Sequence, residues 1–204
     1  MARLKDKEEI ILNAAFEVFR ENGFTNANMK DIAVKAGLGK GTLYEYFQNK
    51  EDLFIQVVKV ITRSIFDEIN SRISDKITLQ EILNEIIRFT QETIEEAGFL
   101  FKFMMFGEIF EMSSDVKQRL FAMILSSREE SVNLLRDLFK KGFADGILRE
   151  FDFEFAANFI PEMIGSYCIS KVHIMDDCWS QQQKELDREK MIDFILNGVG
   201  TITK

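Results

Sequence analysis

Residues 28–53 read Asn28-Met29-Lys30-Asp31-Ile32-Ala33-Val34-Lys35-Ala36-Gly37-Leu38-Gly39-Lys40-Gly41-Thr42-Leu43-Tyr44-Glu45-Tyr46-Phe47-Gln48-Asn49-Lys50-Glu51-Asp52-Leu53. The punctuation of this stretch decides the fold. Asn28 is an N-cap residue, and Asp31 three positions later can answer it in the manner of a capping box. Ile32, Ala33 and Ala36 fall at helical spacing and form the inner face of a short helix that Gly37 closes. Only Leu38 and Gly39 separate it from a second helical run, Lys40–Phe47. Two short helices joined by a tight, glycine-bearing turn are a helix-turn-helix, and neither can bury its face alone. The third helix lies upstream, where Ile11, Ala15, Val18 and Phe19 repeat at i, i+4, i+7 and i+8 and the run stops at Asn22-Gly23-Phe24.

Downstream the same periodicity continues. Asn49-Lys50-Glu51-Asp52 opens a long helix carrying Leu53, Val57, Ile61, Ile65 and Ile69, expected to reach about residue 74, or ~36 Å. Thr78-Leu79-Gln80-Glu81 is a capping box for a fifth helix. Gly98 is expected to end it, leaving Phe99–Glu111 as a short, very apolar sixth. Ser113 or Ser114 caps a seventh, and Ala144-Asp145-Gly146 turns the chain. Asp152 caps an eighth, which Pro161 should kink. The polar stretch from Asp176 to Gln183 then precedes a last helix over about 187–201. One proline and 11 glycines among 204 residues disfavour turn-rich β architectures. The fold class is all-α with about nine helices. Residues 1–50 form a helix-turn-helix domain with its reading motif at about 28–47, and residues 51–204 a larger helical domain.

The formal charge is −8, but it is unevenly spread. Residues 1–50 hold eight Lys/Arg against seven Asp/Glu, while the other 154 hold eighteen against twenty-seven. The acidity that disfavours a nucleic-acid partner is thus confined to the later region. Two cysteines, Cys168 and Cys178, do not make a disulfide scaffold. The start MARLKDKEEI has no apolar run of the secretory kind, and no apolar run spans a membrane, so a cytoplasmic protein is expected. One histidine, His173, leaves little for a nucleophilic relay, so no enzyme is expected. The group His173, Asp176, Asp177 and Cys178 lacks an established metal spacing and reads as a solvated helix end; no metal or cofactor is expected.

Lys40, Thr42, Tyr44 and Tyr46 are donors of the kind phosphate oxygens require, and Gly41 lets a backbone approach closely. Lys50 begins the fourth helix, whose free N–H groups attract anions, and reads as a phosphate clamp. Lys30, Lys35 and the arm Arg3, Lys5 and Lys7 add positive charge. Periodicity alone leaves a purely structural trihairpin open. The run from Met29 to Leu53, with Ala14-Ala15, Phe19, Gly23 and Phe24 upstream, closely resembles the DNA-binding signature of the TetR/AcrR family. The turn Gly146-Ile147-Leu148 with Phe151-Asp152 and Ala156-Ala157 is similar to that family's later region. The resemblance implies a homodimeric transcriptional regulator, most often a repressor, whose third helix enters the major groove and whose last two helices pair with a second copy. Carried over by position, Lys40, Thr42, Tyr44, Tyr46 and Lys50 match the family's DNA-contacting places, and with Asn28, Lys30, Gly39 and Gly41 they are the expected DNA-binding residues. Two positions depart from the pattern. Gly39 stands where a Ser or Thr often caps the reading helix. Glu45 stands where a neutral or basic residue is usual, and its carboxylate would repel phosphate unless it accepts from a cytosine amino group. With dimer symmetry the double-stranded operator is an inverted repeat with half-sites about one turn, ~34 Å, apart or a multiple of it.

Phe99–Phe110 holds five aromatics and two methionines in twelve positions, more than one buried face needs. A hydrophobic small-molecule effector, fatty acyl or a lipophilic drug, is therefore expected, with Phe103, Phe106, Glu108, Phe110, Phe139, Glu162 and Tyr167 as candidate ligand-binding residues. Phe155, Phe159 and Met163, with Ile192, Ile195 and Val199, are the candidate homodimer interface. The competing plan is a small-molecule-binding or protein-interaction helical bundle that never touches DNA.

Overall fold

In the computed structural model the backbone is described for residues 2–73, 78–105, 112–174 and 179–197, and side chains for 7–73, 78–95, 112–171 and 179–197. Eight helices and no strands occur among the described residues: α1 (Ala2–Asn26), α2 (Met29–Ala36), α3 (Lys40–Tyr46), α4 (Lys50–Ile73), α5 (Leu79–Met105), α6 (Ser114–Ala144), α7 (Phe153–Ile174) and α8 (Gln181–Asn197). None of the described helices is long and apolar enough to cross a membrane.

Local chemistry sets the boundaries. Gly23 breaks α1 with φ 73° and ψ 172°, a region essentially reserved for glycine. The Thr78 N–H and hydroxyl donate to the Glu81 carboxylate while the Glu81 N–H donates back to Thr78 Oγ1 at 3.2 Å, the expected capping box. The Phe155 N–H donates to Asp152 Oδ1 at 2.9 Å, opening α7 as expected. Two expectations fail. Gly98 does not divide the fifth helix: α5 runs through it to Met105. A lone glycine costs only about 1 kcal/mol in a helix interior, and no proline or cap follows to convert that cost into a break. The last helix starts at Gln181 rather than about 187, because Ser180 caps it: its carbonyl accepts from the Lys184 N–H at 2.9 Å and its hydroxyl from the Gln183 N–H at 3.2 Å. Pro161 sits inside α7, which continues past it.

The chain packs as two compact units, Met1–Ser64 with Ala97–Ser127, and Ile65–Glu96 with Arg128–Lys204. In the first, Phe19, Phe24 and Phe54 form an aromatic knot with ring centres 5.0–6.0 Å apart. Around it Ile11, Ala15, Ile32, Leu43, Phe47 and Leu53 are buried. Met112, Val116 and Leu120 of the α6 end join the same core. There the Ser113 N–H donates to Glu51 Oε1 at 3.1 Å and its hydroxyl to Oε2 at 3.2 Å, tying the starts of α6 and α4. In the second unit Leu83, Ile87, Phe139 and Ile164 are buried. A polar seam joins α8 to α5 and α7. Gln91 Nε2 donates to the Lys184 carbonyl at 3.0 Å, and Lys184 pairs with Glu95. Buried Asp187 accepts from Gln183 Nε2 at 2.8 Å and Trp179 Nε1 at 3.1 Å, with Lys171 Nζ at 3.7 Å.

Candidate nucleic-acid interface

The helix-turn-helix is built by backbone constraints within a dozen residues. Asn28 Oδ1 accepts from the Lys30 and Asp31 N–H groups at 3.0 Å each, and Asn28 Nδ2 donates to Asp31 at 2.6 Å. At the other end Gly37 adopts φ 66°, ψ 27°, the left-handed geometry that glycine reaches without Cβ strain. Leu38 N–H then donates to the Ala33 carbonyl at 3.0 Å, which reverses the chain towards α3. Helix α3 begins with no side-chain cap: Gly39 sits at φ −70°, ψ 145°, and its carbonyl accepts from the Thr42 N–H at 2.9 Å.

Burial then sorts α3 into two faces. Leu43 and the following Phe47 are sealed in the core. Lys40, Gly41, Tyr44 and Glu45 are exposed, Tyr44 at 48%, and Lys40 Nζ lies 5.7 Å from the Tyr44 ring centre. Thr42 is half-buried. Tyr46 is half-buried as well and packs on the core, its ring 6.4 Å from that of Phe47, so less of it faces outward than of Tyr44. Neither Gly39 nor Gly41 has a positive φ, and a Cβ at either would meet nothing within 4 Å. Neither backbone strain nor internal crowding requires glycine there, so the space these residues leave lies outside the protein.

Two of the expected contact residues are committed elsewhere. Lys50 does not stand free as a phosphate clamp. Its ammonium donates to the carbonyls of Phe24 at 2.8 Å, Thr25 at 3.1 Å and Ala27 at 3.0 Å, and lies 4.4 Å from the Phe24 ring centre. The C-terminal end of α1, rich in unpaired carbonyl charge, captures the cation first. Asn28 is exposed but spends its amide on capping α2. Lys30 remains exposed on α2, whereas Lys35 pairs with Glu21 at 2.6 Å. Lys7 is exposed; the side chains of Arg3 and Lys5 lie outside the described residues.

The candidate ligand residues are only partly visible. Phe106, Glu108 and Phe110 lie outside the described residues, as does the Phe103 side chain, though Phe103 itself is in α5. Phe139 is fully buried, edge-on to Phe151 at 5.5 Å. Glu162 is not a buried pocket acid: it lies at the surface and accepts from Arg128 Nε at 2.8 Å, which resolves its burial as that of a solvated ion pair. Tyr167 is half-buried, with Lys171 Nζ 5.1 Å from its ring centre. The Lys171 ammonium is held above the ordinary lysine value by its bond to the Tyr167 side chain and by Asp187. His173, Asp176, Asp177 and Cys178 fall outside the described side chains.

Of the candidate pairing residues, Phe155 and Phe159 are 61% and 49% exposed and stack on one another at 5.2 Å and 14°. Met163 and Ile195 are half-buried, and Val199 lies outside the described residues. Ile192 is a correction: it is buried within the single chain. The apolar residues that α8 exposes are instead Leu186, Phe194 and Leu196, which the spacing missed because the polar seam, with Lys184 and Asp187 inward, sets the rotation of the helix. A cavity of about 590 Å³ lies beside Ile192, lined also by Glu81, Asn84, Glu189 and Asp193.

Comparison with known proteins falls on the same module. The family of bacterial regulatory proteins, tetR family, matches residues 11–57. The chain is similar to the fatty acid metabolism regulator protein of Bacillus subtilis, 36% identical over 87 residues, which are 43% of this chain and 45% of that protein. It thus spans under half the length of that relative. Its fold is similar to the transcriptional regulator FadR of Bacillus subtilis in complex with stearoyl-CoA, with a TM-score of 0.73 at 22% identity, covering 94% of this chain and 99% of that one. It is also similar to PfmR, a TetR family transcriptional regulator of Thermus thermophilus, with a TM-score of 0.66 at 23% identity, covering 94% and 99%. The matched residues are the capped helix pair, its α1 support and the first turns of α4: residues 11–57 match the tetR family's model, and the all-helical fold of the chain is similar to that of such regulators.

Proposed function

We propose that the chain is a ligand-responsive homodimeric repressor that holds an inverted-repeat operator through α3 and is released by a hydrophobic, acyl-type small molecule in the cytoplasm. Residues 1–50 read DNA, and residues 51–204 carry the ligand and the dimer contact. The observation that carries this is the division of α3. Leu43 and Phe47 anchor it, while Lys40, Tyr44 and the bare backbone at Gly41 face outward, which suits close approach to a groove and to phosphate oxygens. Lys30, Gly39, Thr42 and Tyr46 border that surface. Lys35 and Lys50 are engaged within the protein, so phosphate contacts are few, about four to eight per dimer, giving a salt slope of roughly −4 to −7.

The dimer contact is supported by the stacked, exposed Phe155 and Phe159 of α7 and by Leu186, Phe194 and Leu196 of α8. Burying one such aromatic contributes about 1.5–3 kcal/mol. The acyl class is supported by the aromatic- and methionine-rich stretch 99–110 and by the fatty acid regulator and the stearoyl-CoA complex among its relatives. Inverting a 1:99 population takes about 5.5 kcal/mol of differential affinity.

The test is selection of bound duplexes from a random-sequence pool by the full-length protein, followed by titration of the selected complex with long-chain acyl-CoA and free fatty acid. An inverted repeat released by one of these probes is expected. A pool with no enriched duplex refutes DNA reading, an unrepeated site refutes the dimer, and a complex indifferent to both probes refutes the acyl effector.

A further inference from the structure

Glu45 is exposed on the outer face of α3, one turn after Gly41 and on the same side. Since a Cβ at Gly41 would itself touch nothing within 4 Å, the flank beside Glu45 is open. Among the described residues, no hydrogen bond or ion pair involves its carboxylate. Of the cations on this module, Lys40 lies over the Tyr44 ring, Lys35 pairs with Glu21, and Lys50 is held by carbonyls. Nor does packing call for Glu45, because Leu43 and Phe47 carry the contact of this helix with the core.

A full, unneutralised carboxylate on a surface that approaches phosphates lowers affinity for every sequence unless a donor meets it. In the major groove only the exocyclic amino groups of cytosine and adenine donate. Guanine and thymine present acceptors there and repel a carboxylate. Adenine carries its N7 acceptor beside the amino group, whereas the cytosine amino group is flanked on its own base by a C–H. We infer that Glu45 is a specificity-determining residue whose carboxylate accepts from the amino group of a cytosine, setting one base pair in each half-site. This rests on the DNA-reading function proposed above.

The experiment is duplex selection by full-length wild type, Glu45→Ala and Glu45→Gln, followed by competition titrations with each base at the selected positions. Wild type should hold one C·G pair, symmetric in the two half-sites, and lose about ten-fold or more in affinity for each replacement. Glu45→Ala should bind with all other positions kept, tolerate the four bases there within about two-fold, and bind unrelated duplex more tightly. Glu45→Gln should move the preference to adenine, which glutamine meets at both N6 and N7. Identical base preferences in wild type and Glu45→Ala would overturn the assignment while leaving DNA reading intact. A wild type that enriches no duplex overturns the parent function and the assignment together.

Discussion

Replacing Lys50 by methionine separates two roles that the same residue could hold. Its ammonium makes three hydrogen bonds, to Phe24, Thr25 and Ala27 carbonyls, of which the first and third are partly buried. A bond to a charged group contributes about 1.5–3 kcal/mol, and one exposed to water much less. Discounting the Thr25 bond and allowing methionine to keep the aliphatic packing, we expect a loss of about 2–4 kcal/mol. For a chain of this length that is a fall of roughly 4–16 °C in melting temperature. Thermal unfolding at fixed protein concentration, with amide exchange at residues 24–28, reads the loss and its place. In the same variant the salt slope of operator binding should be unchanged. A phosphate contact predicts the reverse: stability within about 0.5 kcal/mol of wild type and a slope smaller by about one per protomer. That second pattern would refute the assignment of Lys50 to the α1–α2 corner.

Three further outcomes follow from named side chains. Gly41→Ala should raise stability by up to about 1 kcal/mol, since α3 gains a better helix former and its Cβ meets nothing, yet weaken operator binding in a gel shift. Phe155→Asp should abolish the proposed dimer in sedimentation without lowering helix content, because the residue it replaces is exposed in the single chain. Cys168 is fully buried, and burial, with Asp187 nearby, pushes its thiol up to about 12. It should react with a thiol reagent at pH 8 only after denaturation. Because the unfolded thiol ionises near 9.0 and the folded one near 12, its contribution to stability is complete below pH 9 and is lost as pH rises between those values; Cys168→Ala should flatten that part of the stability profile.

What the chain order determines by itself is the set of features decided within one or two turns. The Asn28–Asp31 and Thr78–Glu81 caps, the reversal at Gly37, the break at Gly23 and the inward pair Leu43 and Phe47 all appear where the residues indicate. The caps and the reversal depend on partners at most five positions away, and the four-residue interval between Leu43 and Phe47 puts them on one face, so spacing is enough to see them. Gly98 shows the limit even there, because a cost of about 1 kcal/mol breaks a helix only when its neighbours gain little by continuing.

The tertiary structure decided the matters that hinge on distant partners. The ammonium of Lys50 had two attractions to choose between, a phosphate outside and three carbonyls lying 23 to 26 positions back in the chain. Only the approach of the α1–α2 corner to the start of α4 settles which is closer. On α8 the apolar stripe predicted Ile192 as outward, but the bonds linking Gln91 to Lys184 and Trp179 to Asp187 turn the helix so that Phe194 and Leu196 face out instead. Periodicity states that a helix has a greasy side. A buried charge that must find its partner fixes the angle at which the helix lies, because leaving it unpaired costs more than exposing one apolar side chain.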